Sequence, residues 1–384
     1  MSSAKLLYWK LTRTCPRLAY AWVVIDLELS LFHDTNLELS IVELNLAIPY
    51  CDELYFERDA SCWKIQKGQE PSNQPSLRTL FQWFLNDQLI GDRTRSLTPA
   101  TFRLLLHPLH SLAYSLGQLI SCIGGEQSPR PFSRVTKRST DVRVEEVQSL
   151  LYRWISLYNS CRYRSLSDVY VSHDHNFQGP LMISTLIEYH VICLNTMSSF
   201  MEIESLARRR LSDGQIRSLS PEVIEQSIRS PDQVLDHVGQ ILHLLRMLGR
   251  KVRPPWWPVA LYRASLILWM MSVLYGAQWN SSSLPLVLID VERGIEESNE
   301  GGSRHRYFTS TGASYAGWSA TSLLGIPALT NQAGGIEPVR LDDPIRTLDT
   351  CFSAFEGGTP TRFSEGIRVK LEQFLTSRYS LRDG

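Results

Sequence analysis

The sequence lacks the short motifs that mark the common enzyme classes. It contains no G-x-S-x-G nucleophile elbow, no Walker phosphate loop and no G-x-G-x-x-G dinucleotide fingerprint. The glycines at positions 312 and 317 have the wrong spacing for a nucleophile elbow. The residues therefore offer no positive case for an enzyme.

Paired cysteines are also missing. Seven cysteines are scattered along the chain, and none forms a C-x-x-C pair, which argues against a zinc knuckle and a thioredoxin-like redox site. An odd number of scattered cysteines suits a reducing compartment. The first ten residues lack the apolar core and cleavage site of a secretory signal. We therefore predict an intracellular protein that holds no zinc and no other cofactor in this chain.

The chain has no excess of either charge. Its 39 Lys and Arg residues match its 39 Asp and Glu residues, whereas proteins that grip DNA through phosphates usually carry a basic excess. Basic residues concentrate in a stretch at 124–141 that we predict to be a loop. This stretch is a candidate nuclear-import signal or phosphorylated loop, and an ordinary solvated loop is the alternative. Its candidate residues are Arg130, Arg134, Lys137 and Arg138.

Long apolar runs are absent except at residues 258–277. That stretch is long enough to cross a bilayer, but it carries Arg263 well inside the run. Helices that are apolar on all sides also occur in the cores of large soluble proteins. We predict a buried core helix, no membrane contact, and a carboxylate or backbone carbonyls as the partner of Arg263.

Apolar residues recur with helical spacing in most of the remaining chain. A first helix is predicted to present one apolar face made of Leu18, Trp22, Ile25, Leu29 and Phe32. Helix starts are predicted where a capping residue precedes proline, as at Thr98-Pro99, Ser230-Pro231 and Asp343-Pro344. Pro108 should kink or split the helix that begins at Pro99.

These patterns predict an all-α protein. The best strand candidate is the short stretch at 286–289, and no sheet of more than two or three strands is expected. Polar or glycine-rich stretches at 66–76, 124–141, 281–303 and 309–337 are predicted to be long surface loops. We expect residues 1–384 to form one large multi-helix domain.

Two groups of side chains are candidates for metal binding. Asp342-Asp343 resembles half of the aspartate-rich site of helical isoprenoid synthases, but Asp343 before Pro344 is better explained as a helix cap. His173-Asp174-His175 would need further ligands from distant segments, so a solvated loop is favoured. His190, His237 and His243 are interpreted as separate packed or surface histidines.

Several blocks along the chain resemble the fungal-specific transcription factor domain, the middle homology region of fungal regulators. The first block is a helix that opens on Pro16-Arg17-Leu18. The second block is Ile48-Pro49-Tyr50-Cys51 with Tyr55 and Trp63. The family pattern for this second block is L-P-C-P-x-x-L-W followed by a further Trp, so this sequence departs from it mildly. The later blocks are Tyr189-His190, Met201-Glu202-Ile203-Glu204, the stretch at 253–258, Pro327, Gly334-Gly335, Asp343-Pro344 and Gly366-Ile367-Arg368.

The resemblance implies a nuclear transcription regulator of a metabolic or secondary-metabolite gene set. Family members carry zinc fingers or a binuclear zinc cluster upstream, and we expect no DNA-binding domain in residues 1–384. Partners would then be the transcription machinery or other regulators, and DNA only indirectly. The oligomeric state is left open.

The same resemblance implies a small effector held between helices. The aromatic residues that are candidates for its pocket are Trp256, Trp257, Tyr262, Trp269 and Trp279, with plain core packing as the alternative. The competing interpretation of the whole chain is an all-helical enzyme or binding protein that acts on an apolar metabolite. An enzyme should show convergent acidic or histidine side chains around its pocket, and a regulator should show apolar walls.

Overall fold

Helices make up most of the computed structural model, which describes residues 3–49, 74–89, 92–95, 97–123, 134–167, 179–213, 227–280, 285–291, 306–308, 314–316, 325–331, 337–355 and 361–376. The helices are α1 Ser3–His33, α2 Leu77–Leu85, α3 Asp92–Arg95, α4 Pro99–Ile123, α5 Arg134–Ser167, α6 Pro180–Met197, α7 Phe200–Asp213, α8 Pro231–Met247, α9 Trp257–Asn280, α10 Pro344–Ser353 and α11 Arg362–Thr376. A 3₁₀ turn at Arg250–Val252 lies between α8 and α9. The predicted all-α class is confirmed.

Strands are short and few in the described part of the chain. They are β1 Leu286–Leu288, β2 Arg306–Phe308, β3 Ser314–Ala316, β4 Ile326–Leu329 and β5 Val339–Arg340. One sheet has the order β1-β4-β5, with β1 and β4 parallel and β4 and β5 antiparallel, and β2 pairs with β3. The strand predicted at 286–289 is therefore confirmed, whereas the stretch at 309–337, predicted to be a loop, contains β3 and β4.

The chain divides into two compact units. The first consists of residues 1–116 and 133–185, and the second of residues 117–132 and 186–384. The expectation of one domain spanning 1–384 stays a prediction.

Aromatic packing joins α4 to α5 in the first unit. The fully buried Trp154 lies edge-to-face against Phe102, with ring centroids 5.5 Å apart. Its indole N–H donates to the backbone carbonyl of Phe102 at 3.1 Å, so the indole nitrogen is satisfied inside the core. The helix α4 begins at Pro99 as predicted, and Thr98 Oγ1 accepts from the Thr101 amide at 3.3 Å. It continues through Pro108, so the helix is not split there, and the alternative of a kink stays a prediction.

The buried face of α1 is not the predicted one. Leu18, Trp22, Ile25 and Leu29 are 40 to 60 % exposed, and only Phe32 of the predicted face is buried. The core side consists of Tyr20, Val23, Asp26, Leu27, Ser30 and Leu31. Apolar residues occur on both sides of this helix, and the buried side looks less apolar because it includes Asp26 and Ser30.

Those two polar residues are buried because they bind other segments of the first unit. The Asp26 carboxylate accepts hydrogen bonds from the backbone amides of Glu38 and Leu39 at 2.9 and 3.0 Å, and lies 3.0 Å from His107 Nε2. Ser30 Oγ lies 2.8 Å from His110 Nε2. Burial lowers the pKa of His107, although the Asp26 carboxylate partly opposes this effect. These contacts join α1 to α4 and to the segment that follows α1.

The helix α9 is the centre of the second unit. It contacts α7, α8, α10 and α11, which explains why it is apolar on all sides. It is long and apolar enough to cross a bilayer, but 83 % of its most apolar window is buried inside the protein. Arg263 is buried with its guanidinium carbon 4.9 Å from the centroid of the Phe200 ring, a cation–π contact that the sequence did not predict.

Two glycines in helices let another backbone segment pack closely against the helix. A Cβ at Gly239 of α8 would lie 2.1 Å from the carbonyl oxygen of Ile289, just after β1. A Cβ at Gly276 of α9 would lie 2.6 Å from the carbonyl oxygen of Asp342, just before α10. The helix α10 is capped as predicted, because Asp343 Oδ1 accepts from the Ile345 amide at 2.8 Å.

Candidate functional site

The five aromatic residues predicted to form an effector pocket are all buried. Their exposed fractions are 6 % for Trp256, 6 % for Trp257, 3 % for Tyr262, 8 % for Trp269 and 2 % for Trp279. One of the five, Trp257, is among the residues that line a cavity in the described part of the second unit. The predicted group is therefore spread through the core around α9, and a role of these five residues in an effector pocket stays a prediction.

Tyr262 belongs to a polar cluster that ties three helices together. Its hydroxyl donates to the Glu204 carboxylate of α7 at 2.8 Å, and the same carboxylate accepts from Arg208 at 2.8 Å and from Lys370 of α11 at 2.6 Å. Burial alone would raise the pKa of Glu204, but hydrogen bonds from Lys370, Arg208 and Tyr262 outweigh it and lower that pKa to about 2. Burial, reinforced by Glu204, raises the pKa of Tyr262. One carboxylate thus binds two cations and a hydroxyl, and it links α7, α9 and α11.

A cavity of about 240 Å³ lies beside this core, at the junction of α8, the 3₁₀ turn and α9. Its walls combine leucine side chains with one indole ring and three guanidinium groups. The lining residues are Leu242, Leu245, Arg246, Leu248, Gly249, Arg250, Arg253, Trp257, Leu261 and Ala354. No acidic residue and no histidine is among these ten.

One of the three arginines is neutralised by a buried carboxylate. Arg246 Nη1 lies 2.6 Å from Asp290 Oδ2, and Asp290 is 2 % exposed. The carboxylate also accepts from the Thr330 amide at 3.0 Å and from the Thr330 hydroxyl at 2.8 Å. Arg246 is thereby held in place beside the cavity and adds no net charge to it.

The other two arginines are not balanced in this way. Arg253 lies with its guanidinium carbon 4.7 Å from the centroid of the Trp257 ring and donates from Nη2 to the Leu245 carbonyl at 3.2 Å. Its Nε is buried and has no acceptor among the described residues. Burial lowers the pKa of Arg253, and the nearby positive charge of Arg250 lowers it further. Arg250 is exposed at the cavity. No ion pair of either side chain with a carboxylate occurs in the described part of the chain.

A buried histidine pair lies elsewhere in the second unit. His190 Nδ1 of α6 lies 2.8 Å from His237 Nδ1 of α8, and both side chains are buried. One imidazole must donate and the other accept, so the two tautomers are coupled. Both histidines are packed inside the protein, in agreement with one of the two predicted environments, but their contact with each other was not predicted. No signal in the sequence could join two positions 47 residues apart.

The predicted basic loop is partly helical. Arg134, Lys137 and Arg138 lie in the first turns of α5, which begins at Arg134, and Arg138 is exposed. The loop prediction is wrong for these residues because arginine and lysine are themselves good helix formers. Arg130 lies outside the described residues, and the import signal stays a prediction.

The described residues contain no group of three His, Cys, Asp or Glu side chains that could hold a metal ion. The candidate His173-Asp174-His175 lies outside the described residues, as do Tyr50, Cys51, Tyr55 and Trp63. The metal-site reading of Asp342-Asp343 is not supported, since Asp343 caps α10 and Asp342 pairs with Arg340 Nε at 2.7 Å.

Comparison with curated proteins shows similarity along nearly the whole chain. Transcription factor 1 of Elsinoe fawcettii is 32 % identical over 387 residues, which cover 96 % of this chain and 36 % of that protein. A transcription factor of Zymoseptoria tritici is 32 % identical over 95 % of this chain and 38 % of its own length. Transcription factor PfmaH of Pestalotiopsis fici is 31 % identical over 94 % and 36 %, respectively.

The chain is therefore related to a part of these fungal transcription factors. It spans little more than a third of the length of each of the three. No family model matches the chain. No solved structure matches it either.

Proposed function

We propose that this chain is the regulatory region of a fungal transcription regulator and acts in the nucleus. The observation that carries the proposal is the similarity to three fungal transcription factors over 94 to 96 % of the chain. The helical scaffold fits the fungal-specific transcription factor domain that the sequence resembles. Control of a metabolic or secondary-metabolite gene set is part of the proposal.

The chain would influence transcription without reading DNA by itself. Sequence recognition needs side chains that reach base edges, supported by contacts to phosphates. The 384 residues have a net charge of zero and no cysteine pair with the spacing of a zinc ligand set. We assign DNA reading, and the zinc that goes with it, to a module outside these residues. The partners of the chain would be the transcription machinery or other regulators.

A tethering experiment tests this function. The chain is fused to an unrelated DNA-binding domain, and a reporter with the matching sites is measured in a fungal host under varied growth conditions. We expect the reporter to change relative to the DNA-binding domain alone. A fusion that accumulates in the nucleus and leaves the reporter unchanged in every condition contradicts the proposal.

The matched control is the same fusion carrying Leu266→Asp. Leu266 is fully buried in α9, so a carboxylate there should unfold the second unit and abolish the effect. A selection on random DNA duplexes with the unfused chain tests the second half of the proposal. Enrichment of a defined motif would show that the chain reads DNA by itself.

A further inference from the structure

We propose that the cavity at the junction of α8 and α9 binds a small molecule with one carboxylate on an apolar body. The cavity is lined by Arg250 and Arg253 together with leucine side chains and the Trp257 indole. The proposal names the chemical class of the ligand and rests on this geometry. If the chain is a regulator, such a ligand would be its effector.

The positive charge at the cavity favours an acidic ligand. Asp290 pairs with Arg246, so the cavity retains the two positive charges of Arg250 and Arg253. These two charges repel each other. A single carboxylate beside both guanidinium groups would relieve this repulsion and form charge-assisted hydrogen bonds with planar donors.

The position and hydrogen bonds of the Arg253 side chain also favour an acidic ligand. Its side chain is already positioned, because the guanidinium lies over Trp257 and donates to the Leu245 carbonyl. An arginine that is held in place before binding loses less rotamer freedom when it binds an acid. Its Nε donor is buried without an acceptor among the described residues, so the guanidinium keeps unused hydrogen-bonding capacity.

Size and wall chemistry define the rest of the ligand. A dry cavity of roughly 150 Å³ lined by aliphatic and aromatic side chains is known to accept benzene. The present cavity of about 240 Å³ has room for such a ring plus a carboxylate. Leu242, Leu245, Leu248 and Leu261 supply apolar walls.

The test compares acids with their neutral counterparts on the 384-residue chain. Benzoate and cyclohexanecarboxylate are titrated against the protein at low salt, in parallel with benzamide and cyclohexanecarboxamide, and binding is followed by saturation-transfer NMR. Each acid should bind at least tenfold more tightly than its amide. Inorganic phosphate is titrated as a competitor and should not displace the acids.

Variants locate the binding. Arg250→Gln and Arg253→Gln should each weaken acid binding at least tenfold, and Arg250→Gln should leave the fold intact because the side chain is exposed. Lys251→Gln is the matched control, since Lys251 is an exposed cation in the same 3₁₀ turn and does not line the cavity. It should bind the acids as the unchanged protein does.

Four results would overturn the proposal. The first two are absence of binding by both acids and equal binding of acids and amides. The other two are displacement of the acids by phosphate at matched concentration, and failure of Arg250→Gln to weaken binding more than Lys251→Gln does. Because binding is measured without a reporter, these failures are distinct from a failure of the proposed regulatory function.

Discussion

At the scale of single residues, buried polar groups hold distant segments of this protein together. Asp26, Glu204 and Asp290 each accept hydrogen bonds from residues of other elements. Carboxylates shielded from water are tolerated when donors surround them, and removal of the carboxylate leaves those donors without their acceptor. Glu204 provides the sharpest test, because three helices meet at its carboxylate.

Glu204→Gln should destabilise the second unit by about 1 to 3 kcal/mol near pH 7, because a neutral amide forms weaker hydrogen bonds to Lys370 and Arg208. The pKa of Glu204 is lowered from about 4.5 to about 2. The unfolded chain therefore takes up the proton first as the pH falls. The extra stability of the unchanged protein should be present above pH 4.5 and disappear as the pH falls toward 2.

Urea unfolding of both proteins between pH 7 and pH 2.5 measures this difference. Glu365→Gln is the matched control, since Glu365 also pairs with an arginine but lies exposed on α11. The control should change stability little at any pH. A difference between Glu204→Gln and the unchanged protein that stays constant across the range would contradict the assignment of the lowered pKa.

At the scale of helices and strands, the starts of helices were predictable and their buried faces were not. Thr98 and Asp343 act within three residues of their own positions, so the sequence alone locates these starts. The face of α1 depends on what packs against it, and apolar spacing alone selected the exposed side. Packing of α8 against the segment after β1 adds a further constraint at Gly239.

Gly239→Ala should destabilise the second unit by about 3 kcal/mol, because its Cβ would lie 2.1 Å from the carbonyl oxygen of Ile289. Helix propensity by itself favours alanine, so only the close approach of the two segments can cause the loss. Thermal unfolding by circular dichroism measures the change.

The control for this substitution is Gly366→Ala in α11. A Cβ there meets no other atom within 4 Å, so alanine should stabilise the protein by about 0.5 to 1 kcal/mol. Equal effects of the two substitutions would mean that α8 does not approach the backbone of Ile289 closely.

At the scale of the whole molecule, the helix α9, which is long and apolar enough to cross a bilayer, is surrounded by protein. The helices α7, α8, α10 and α11 all contact α9, and Arg263 within it is buried against Phe200. A guanidinium at this depth would be costly in lipid, whereas here an aromatic face lies beside it. The apolar side chains of α9 therefore pack in the core of the second unit.

The protein should accordingly be recovered from cell lysates in the soluble fraction, without detergent. Fractionation at high speed followed by an alkaline wash of the membranes provides the measurement. Leu268→Asp in the fully buried part of α9 should unfold the protein and move it to the aggregated pellet. Recovery of the unchanged protein in membranes that resist the wash would contradict the assignment of α9 to the core.

The sequence by itself determined the features that depend on neighbouring residues. Apolar spacing predicted an all-helical protein, and the run at 258–277 predicted the core helix α9. Capping residues located the starts of α4 and α10, and Pro231 located the start of α8, where Ser230 makes no side-chain cap hydrogen bond. The sequence also carried the resemblance to fungal transcription factors. These features are local, since caps and helical periodicity act over one to a few turns.

Only the tertiary structure decided the features that join distant residues. His190 meets His237 across 47 positions, and Arg246 meets Asp290 across 44. The cavity is likewise formed only when α8, the 3₁₀ turn, α9 and the end of α10 pack together. Arg250 and Arg253 then line the same cavity. The same holds for the buried face of α1. No local pattern encodes such contacts, because they exist only where separate segments pack against one another.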